Sequence, residues 1–186
     1  PEGSERWERA QALRRLALYE LAESELRAAH TTTGVPRLLL EAAQVALEAG
    51  RFWTGISLAR QAYPSLERWP LAAVPEELWR TIYPVAFREQ IDRYATRYAL
   101  DPMLVRGLIR QESLFQPDAV SRAGAVGLMQ ILPRTGYQIA RRQRLPYSRQ
   151  RLFGPEYNLR LGTAHLAELL QEFAQLELAL AAYNAG

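Results

Sequence analysis

The stretch "DPMLVRGLIRQES", residues 101–113, has the pattern of a helix with a well-defined start and a carboxyl group near its end. Asp101 suits the N-cap position, where a short acidic side chain accepts hydrogen bonds from free backbone N–H groups. Pro102 suits the first helical position, where its missing N–H would have no partner in any case. We therefore predict an α-helix over residues 102–113.

The acidic residue of this helix, Glu112, lies on its apolar face. Val105, Leu108 and Ile109 form that face. Glu112 follows Leu108 by four residues and Ile109 by three, which places it on the same face. Partial burial and the negative end of the helix dipole both disfavour an ionised carboxyl and raise its pKa. A general acid needs a carboxyl that keeps its proton near neutral pH. The same placement also fits a glutamate that caps the helix or pairs with an arginine elsewhere in the fold.

The segment that follows, "SRAGAVGLMQILP" at residues 121–133, combines glycines with a single amide side chain among apolar residues. Gly124 and Gly127 would let the backbone approach a ligand closely. Gln130 is a neutral donor and acceptor that could bind an amide or a hydroxyl group, or could equally satisfy buried backbone groups. The segment is therefore a candidate for part of a binding site beside Glu112.

The N-terminal part of the chain has the pattern of helical hairpins. Apolar residues over 4–30 recur at helical spacing, with a possible break near 18–21, so this region forms one or two amphipathic helices. Pro36 suits the first position of a second hairpin's first helix, over 37–49, and Gly50 suits the position just after it.

A weak internal repeat accompanies these hairpins. A shift of 33 residues superposes Tyr19 on Phe52, which fits a helical solenoid repeat or two ordinary helix pairs. The proline-rich segment 63–75 looks like a joint to a second unit. We therefore predict an α-helical hairpin region over residues 1–80.

The C-terminal part, residues 81–186, is also predicted to be helical. The pattern indicates a helix around 85–98, a helix from an N-cap at Asn158 to about residue 174, and an apolar helix over 176–186. Convincing strand alternation is limited to a possible short hairpin across 119–129. The predicted fold class is therefore mainly all-α.

Composition narrows the classes of function. All 23 basic residues are arginine, and against 20 acidic residues they leave a formal charge of +3, too mild for a nucleic-acid-binding signature. The chain has no cysteine, and His30 and His165 are far apart, so we expect no disulfide and no structural metal. No apolar run approaches the roughly 20 residues that span a bilayer. Because the first residue is proline, the chain looks like an excised fragment from which any export signal would have been removed, so its start does not indicate a localisation.

Four motifs in order resemble a known family. "RQES" (110–113), "SRAGAVGLMQILP" (121–133), "NLRLGTAHL" (158–166) and "AAYNAG" (181–186) are similar to the motifs of soluble lytic transglycosylases, goose-lysozyme-like enzymes that act on peptidoglycan. The resemblance covers about residues 82–186. It implies a lysozyme-like helical domain, and the preceding hairpins resemble the α-superhelical region of the large periplasmic members.

The resemblance implies roles for six residues. Glu112 would be the sole catalytic acid and base, and Tyr183 would donate its hydroxyl towards it. Ser121 and Gln130 would contact the sugar and its N-acetyl group, and Asn184 would help to frame the site. Asn158, by the same comparison, would have a structural role.

The chain departs from the family pattern in three respects. Leu132 stands where one form of the motif has a second methionine, which could alter how a sugar ring packs. His165 stands where tyrosine is frequent, at a position we interpret as peripheral. The family normally continues with helices that close the cleft beyond the position of Gly186, so we expect part of the site's wall to be missing.

The implied reaction is non-hydrolytic cleavage of the MurNAc-β-1,4-GlcNAc bond, which leaves 1,6-anhydroMurNAc ends and requires no cofactor and no metal. The expected partner is the peptidoglycan glycan strand, without nucleic acid and without a transmembrane segment, in the periplasm or cell envelope. A hydrolytic lysozyme of the same fold and a non-catalytic glycan-binding module remain alternatives, and the oligomeric state stays open.

The run over residues 134–151 is basic, because no acid occurs between Asp118 and Glu156. Only Tyr137 and Tyr147 are interleaved for base stacking, so nucleic-acid binding is disfavoured against a solvated basic face. Contact with the carboxylates of peptidoglycan is an intermediate interpretation. The run contains six arginines: Arg134, Arg141, Arg142, Arg144, Arg149 and Arg151.

Overall fold

The computed structural model describes the backbone of residues 2–185 and the side chains in that range other than those of Glu2, Glu67 and Leu71. The chain divides into two compact units, Pro1–Ala86 and Phe87–Gly186. Gly186, the predicted end of the last helix, lies outside the described residues. Within the described part, the first unit contains five α-helices: α1 (Glu2–Arg15), α2 (Tyr19–Thr33), α3 (Pro36–Glu48), α4 (Phe52–Ala62) and α5 (Glu76–Ile82).

The helix boundaries of the first unit follow the local signals in the sequence. The predicted break is confirmed, because α1 and α2 are separate helices with Ala17 in the left-handed region between them, at φ 57°. Gly34, at φ 68°, ends α2 by donating its N–H to the His30 carbonyl oxygen, and Pro36 is the first residue of α3. Helix α2 begins at Tyr19 and α4 begins at Phe52, so the two starts have the 33-residue spacing found in the sequence.

Small and branched apolar residues of α1 to α5 form the core of the first unit. Tyr63, Trp69 and Val74 also pack against this core, and the rings of Tyr63 and Trp69 are 5.9 Å apart in an edge-on arrangement. The segment 63–75 therefore belongs to the first unit and is not the joint between units that its prolines suggested. The division between the units follows Ala86 instead.

The second unit is also helical. The helix predicted around 85–98 begins only at Arg88, because Phe87 adopts the left-handed region at φ 50°. Among the described residues, two short turns of 3₁₀ helix lie in the first unit and one precedes α9. The α-helices are α6 (Arg88–Arg97), α7 (Pro102–Ser113), α8 (Pro133–Arg142), α9 (Pro155–Phe173) and α10 (Leu176–Ala185).

Helix α7 confirms the prediction for residues 102–113. The Asp101 side chain accepts a hydrogen bond of 2.8 Å from the Met103 N–H, and Pro102 is the first helical residue. Helix α9 differs from its prediction, because Gly154 is the N-cap and Pro155 the first residue. Asn158 is not an N-cap; it lies inside the helix and is fully buried.

The possible hairpin across 119–129 is reduced to two isolated antiparallel bridges, which join Val126 to Val120 and to Ile131. Within the described residues no sheet forms, so the prediction of a mainly all-α fold is confirmed. None of the described helices combines the length and the apolar character that crossing a bilayer would need.

Candidate active site

The residues predicted for the site line one cavity of the second unit, with a volume of about 240 Å³. Glu112 comes from the last turn of α7, Ser121 and Gln130 come from the segment between α7 and α8, and Tyr183 and Asn184 come from α10. The cavity is also lined by Ala123, Ala125, Ile131, Leu132, Thr135, His165 and Ala185.

Glu112 is half-buried in this cavity. Its predicted direction is confirmed, because Val105, Leu108 and Ile109 on the same helix are buried. Burial disfavours the ionised form and raises the pKa of the Glu112 carboxyl above its ordinary value, as the sequence predicted. Within the described residues Glu112 forms no ion pair. The carboxyl therefore has the environment of a general acid.

Ser113, the neighbour of Glu112, was not singled out from the sequence. It is buried, and its hydroxyl contacts two backbone carbonyl oxygens, that of Leu128 at 2.8 Å and that of Ile109 at 3.2 Å. The contact with Leu128 connects the end of α7 to the segment 114–132. Ser113 thereby positions the helix turn that carries Glu112.

Asn158 holds the same segment from α9. Its side-chain oxygen accepts from the Met129 N–H, and its amide nitrogen donates to the carbonyl oxygens of Val126 and Leu152, each at 2.8 Å. Three buried backbone groups thus depend on one buried side chain. The structural role implied for Asn158 agrees with this geometry.

Gly127 serves this packing and not the close approach of a ligand that the sequence suggested. It has φ 81°, and a Cβ atom there would overlap the Asn158 amide and lie 2.6 Å from the Leu152 carbonyl oxygen. Gly124 also has a positive φ, 83°, but its position is open. Of the two positions, only Gly127 has neighbouring atoms that leave no room for a side chain. Those atoms belong to the protein itself and not to a ligand.

The Gln130 side chain satisfies backbone groups and still offers an atom to a ligand. Its amide nitrogen donates to the carbonyl oxygens of Gly127 at 2.9 Å and Ala119 at 3.2 Å. Since both N–H bonds are used, the side-chain oxygen is the group that remains for a ligand, as an acceptor. Gln130 itself has a left-handed backbone, at φ 46°.

Tyr183 is buried, and its hydroxyl does not have the partner that the family resemblance implied. The hydroxyl donates to the Met129 carbonyl oxygen at 2.7 Å and not to Glu112. Burial, and to a smaller extent the charge of Glu112, raise the pKa of the Tyr183 hydroxyl. Because its single hydrogen is used, only the lone pairs of the oxygen remain for the cavity.

Ser121 and Asn184 are exposed at the edge of the cavity. The Ser121 hydroxyl oxygen accepts a hydrogen bond of 3.1 Å from the Ala125 N–H, so its own hydrogen remains available. The two residues lie where groups of a large ligand would leave the cavity for solvent.

His165 lies closer to the site than the sequence suggested. Its ring centroid is 5.3 Å from that of Tyr183, and burial lowers the pKa of the imidazole. The interpretation of His165 as peripheral is therefore wrong. Its spacing along α9 did not reveal this, because the contact is made with another helix.

The other acidic residues of the described part do not line this cavity. Glu112 is the acidic residue among the described residues that line it. Glu156 accepts from Tyr94 and pairs with Arg93, both at 3.0 Å, and Asp118 is exposed. Within residues 2–185 no group of three or more potential metal ligands comes together.

The chain is similar in sequence to a known protein family. The family model of the transglycosylase SLT domain matches residues 89–186, just over half of the chain. The chain belongs to this family.

Relatives of this chain carry transglycosylase names. The soluble lytic murein transglycosylase of Escherichia coli strain K12 is 33% identical over 138 residues, which are 69% of this chain and 21% of that protein. The membrane-bound lytic murein transglycosylase C of Actinobacillus pleuropneumoniae is 37% identical over 107 residues, 52% of this chain and 29% of that protein.

Solved structures of lytic transglycosylases have a fold similar to that of this chain. An inactive mutant of the lytic transglycosylase Slt from Pseudomonas aeruginosa matches with a TM-score of 0.71 and 29% identity, covering 96% of this chain and 27% of that chain. The 70 kDa soluble lytic transglycosylase of Escherichia coli matches with the same TM-score, 0.71, and 25% identity. The present chain thus spans between 21% and 29% of the length of these relatives.

The arginine-rich run of this SLT-family chain is partly neutralised by the fold. Arg142 pairs with Glu168 at 2.6 Å. Arg151 donates to the Pro146 carbonyl oxygen at 2.9 Å and lies over the Tyr157 ring. Each of these arginines contacts a different group of the protein. The contacts therefore fit a solvated basic face.

Proposed function

We propose that this SLT-family chain is a lytic transglycosylase that cleaves the β-1,4 bond between N-acetylmuramic acid and N-acetylglucosamine in peptidoglycan. The observation that carries the proposal is the half-buried Glu112, whose pKa is raised by burial, in a cavity whose other described lining residues are not acidic. Glycosidases that use two carboxylates need a second one about 5–9.5 Å away. The murein transglycosylase names of the relatives support the choice of substrate.

Glu112 acts first as an acid and then as a base. Its proton passes to the glycosidic oxygen, and the bond from that oxygen to C1 of the muramoyl sugar breaks. The acetamido carbonyl of the substrate stabilises the developing positive charge at C1. The Glu112 carboxylate then takes the proton of the C6 hydroxyl, whose oxygen bonds to C1. The product is a 1,6-anhydro sugar, and no water is consumed.

Tyr183 supports this cycle as a positioning residue. Since its hydroxyl hydrogen goes to Met129, its oxygen can accept a hydrogen bond from the protonated form of Glu112. Such an acceptor favours the carboxylic acid and aims its proton. Glu112 and Tyr183 line the same cavity, which supports this role.

Gln130, Ser121 and Asn184 bind the substrate. The free side-chain oxygen of Gln130 accepts from the N–H of an acetamido group, and the free hydrogen of the Ser121 hydroxyl donates to a sugar oxygen. Asn184 contacts the glycan at the cavity edge. Because peptidoglycan belongs to the cell envelope, we also place the working protein there, in the periplasm of a cell that has one.

The test is digestion of purified peptidoglycan by the chain, followed by mass analysis of the released muropeptides. The proposal predicts anhydromuropeptides, each one water lighter than the product of a lysozyme. Borohydride reduction supplies a second readout, because anhydro ends do not take up hydride whereas the reducing ends left by a hydrolase do. Release of reducing ends would favour a hydrolytic lysozyme, and glycan binding without cleavage would favour a non-catalytic module.

A further inference from the structure

A second cavity of the second unit, with a volume of about 450 Å³, lies on another face of α9. Buried Ala164 and Ala167 are part of its lining, and their small side chains leave room between the ends of α6 and α8. His165, which lines the first cavity, is one residue from Ala164 and therefore about 100° around the helix. The two cavities accordingly open on different sides of α9.

The second cavity has an excess of positive charge. It is lined by Arg97, Arg142 and Arg160 and by a single acid, Glu168. Arg142 and Glu168 neutralise each other through two hydrogen bonds, of 2.6 and 3.3 Å. Among the described residues neither Arg97 nor Arg160 forms an ion pair. Two guanidinium charges therefore remain in the cavity.

Hydrogen bonds between the lining residues occupy the side-chain oxygen of Gln143 and leave several charged donors free. The Gln143 amide nitrogen donates to the Tyr98 hydroxyl oxygen at 2.8 Å, and its side-chain oxygen accepts from Nε of Arg160 at 3.2 Å. The Tyr98 hydrogen and the other N–H groups of Arg160 remain. Arg97 lies over the Tyr98 ring, 5.9 Å from its centre, and adds its own donors. Such a surplus of charged donors suits an anion with several acceptor oxygens.

We propose that this cavity binds a carboxylate group. Arginine recognises carboxylates through paired N–H bonds, and Gln143 holds Arg160 in place through its Nε so that the remaining N–H groups are oriented. Two sources can supply the carboxylate. One is the stem peptide of peptidoglycan, in which case the inference rests on the proposed function; the other is a free carboxylate in solution, in which case it does not.

The test is an NMR titration of the ¹⁵N-labelled chain, which measures binding without cleavage. The probes are a dipeptide of alanine and glutamate, the same dipeptide with both carboxylates amidated, acetate and inorganic phosphate. We expect the dipeptide to shift the signals of Gln143 and Gln171, which line the cavity, and the amidated dipeptide to leave them unchanged. Dipeptide binding severalfold tighter than acetate assigns the site to the stem peptide, whereas equal affinities assign it to free carboxylates. Tighter binding of phosphate overturns the proposal.

Variants connect the signal to the two unpaired guanidinium groups. Arg97→Gln and Arg160→Gln should each raise the dipeptide Kd about fivefold or more, because a charge-assisted hydrogen bond is lost. Arg149→Gln removes the same charge outside the cavity, beside Phe153, and should leave the Kd unchanged. An unchanged Kd in both cavity variants overturns the proposal, and thermal melts of all three confirm that they fold.

The same titration on Glu112→Gln separates this inference from the proposed function. Because Glu112 lines the first cavity only, the variant should bind the dipeptide as the unchanged protein does. If the unchanged protein does not cleave peptidoglycan, only the function proposed for the first cavity is contradicted. If it does not bind the dipeptide, only the carboxylate site proposed for the second cavity is contradicted.

Discussion

Two glutamates, one in each unit, are removed from solvent in opposite ways. Glu23 on α2 is only 4% exposed, and it pairs with Arg51 and, at 3.3 Å, with Arg27. Glu112 on α7 is half-buried, and its raised pKa has desolvation as its cause. The first carboxyl is neutralised by arginines, and the second is left to take up a proton.

The difference separates a structural acid from a chemical one. An ionised carboxyl that leaves water must be paired, because otherwise its pKa rises until it is neutral. The Glu23 pair connects α2 to Arg51, which directly precedes α4, and so holds two helix pairs together. Glu112 has no such structural partner among the described residues, and proton exchange is the role that its surroundings favour.

The strongest test of this contrast is catalytic. Glu112→Gln keeps the shape of the side chain but cannot deliver a proton, so we expect peptidoglycan cleavage to fall by about a thousandfold or more. Release of soluble muropeptides measures the loss, and circular dichroism checks the fold. Glu156→Gln removes an exposed carboxylate and should retain activity. Cleavage by Glu112→Gln at the normal rate would remove this residue from the mechanism.

The next largest effect is expected at Asn158, which supports the segment beside Glu112. Asn158→Ala leaves the Met129 N–H and the carbonyl oxygens of Val126 and Leu152 without their partner. We expect a loss of about 3 kcal/mol or more in the free energy of unfolding, since each unsatisfied buried group costs about 1–3 kcal/mol. Urea unfolding measures it, with Gln138→Ala on an exposed position of α8 as the control. Equal stability of the two variants would contradict the support role.

A smaller loss is expected at Glu23. Glu23→Gln leaves the Arg51 guanidinium without its counter-charge, but that side chain is 33% exposed and water screens part of its charge. We expect the free energy of unfolding to fall by about 2–3 kcal/mol. This is at or below the lower end of the roughly 3–5 kcal/mol that breaking a buried ion pair costs. The control is Glu20→Gln, an exposed acid of the same helix. A variant as stable as that control would show that the buried pair does not hold the helices.

The smallest effect has the opposite sign and depends on pH. Because the pKa of Glu112 is raised on folding, ionisation of this group destabilises the folded protein once the pH exceeds the ordinary carboxyl pKa of about 4.3. Glu112→Gln removes that cost, so the variant should melt at a slightly higher temperature than the unchanged protein near neutral pH. The difference should vanish below the ordinary pKa, where both folded and unfolded carboxyls are protonated. A lower melting temperature at neutral pH would mean that the ionised carboxyl is stabilised.

Local signals in the sequence predicted an element correctly where no tertiary contact competed with them. Asp101 and Pro102 define the start of α7 through groups within two residues of each other, and that start was confirmed. The signals at Asn158 and over 63–75 were also local, but there they misled. Buried packing of Asn158 against another segment outweighed its capping preference, and apolar contacts outweighed the prolines.

By itself the sequence determined the helical class, the start of α7 and the inward direction of Glu112, because periodicity and capping operate within one helix. Only the tertiary structure decided the hydrogen-bond partners, since Asn158 lies 29 residues from Met129 and Tyr183 lies 54 residues from it. It also placed His165 beside Tyr183 and brought Arg97 and Arg160 into one cavity. Contacts across such separations depend on how helices pack. The spacing of residues along one helix shows which face is buried but does not identify the helix that packs against that face.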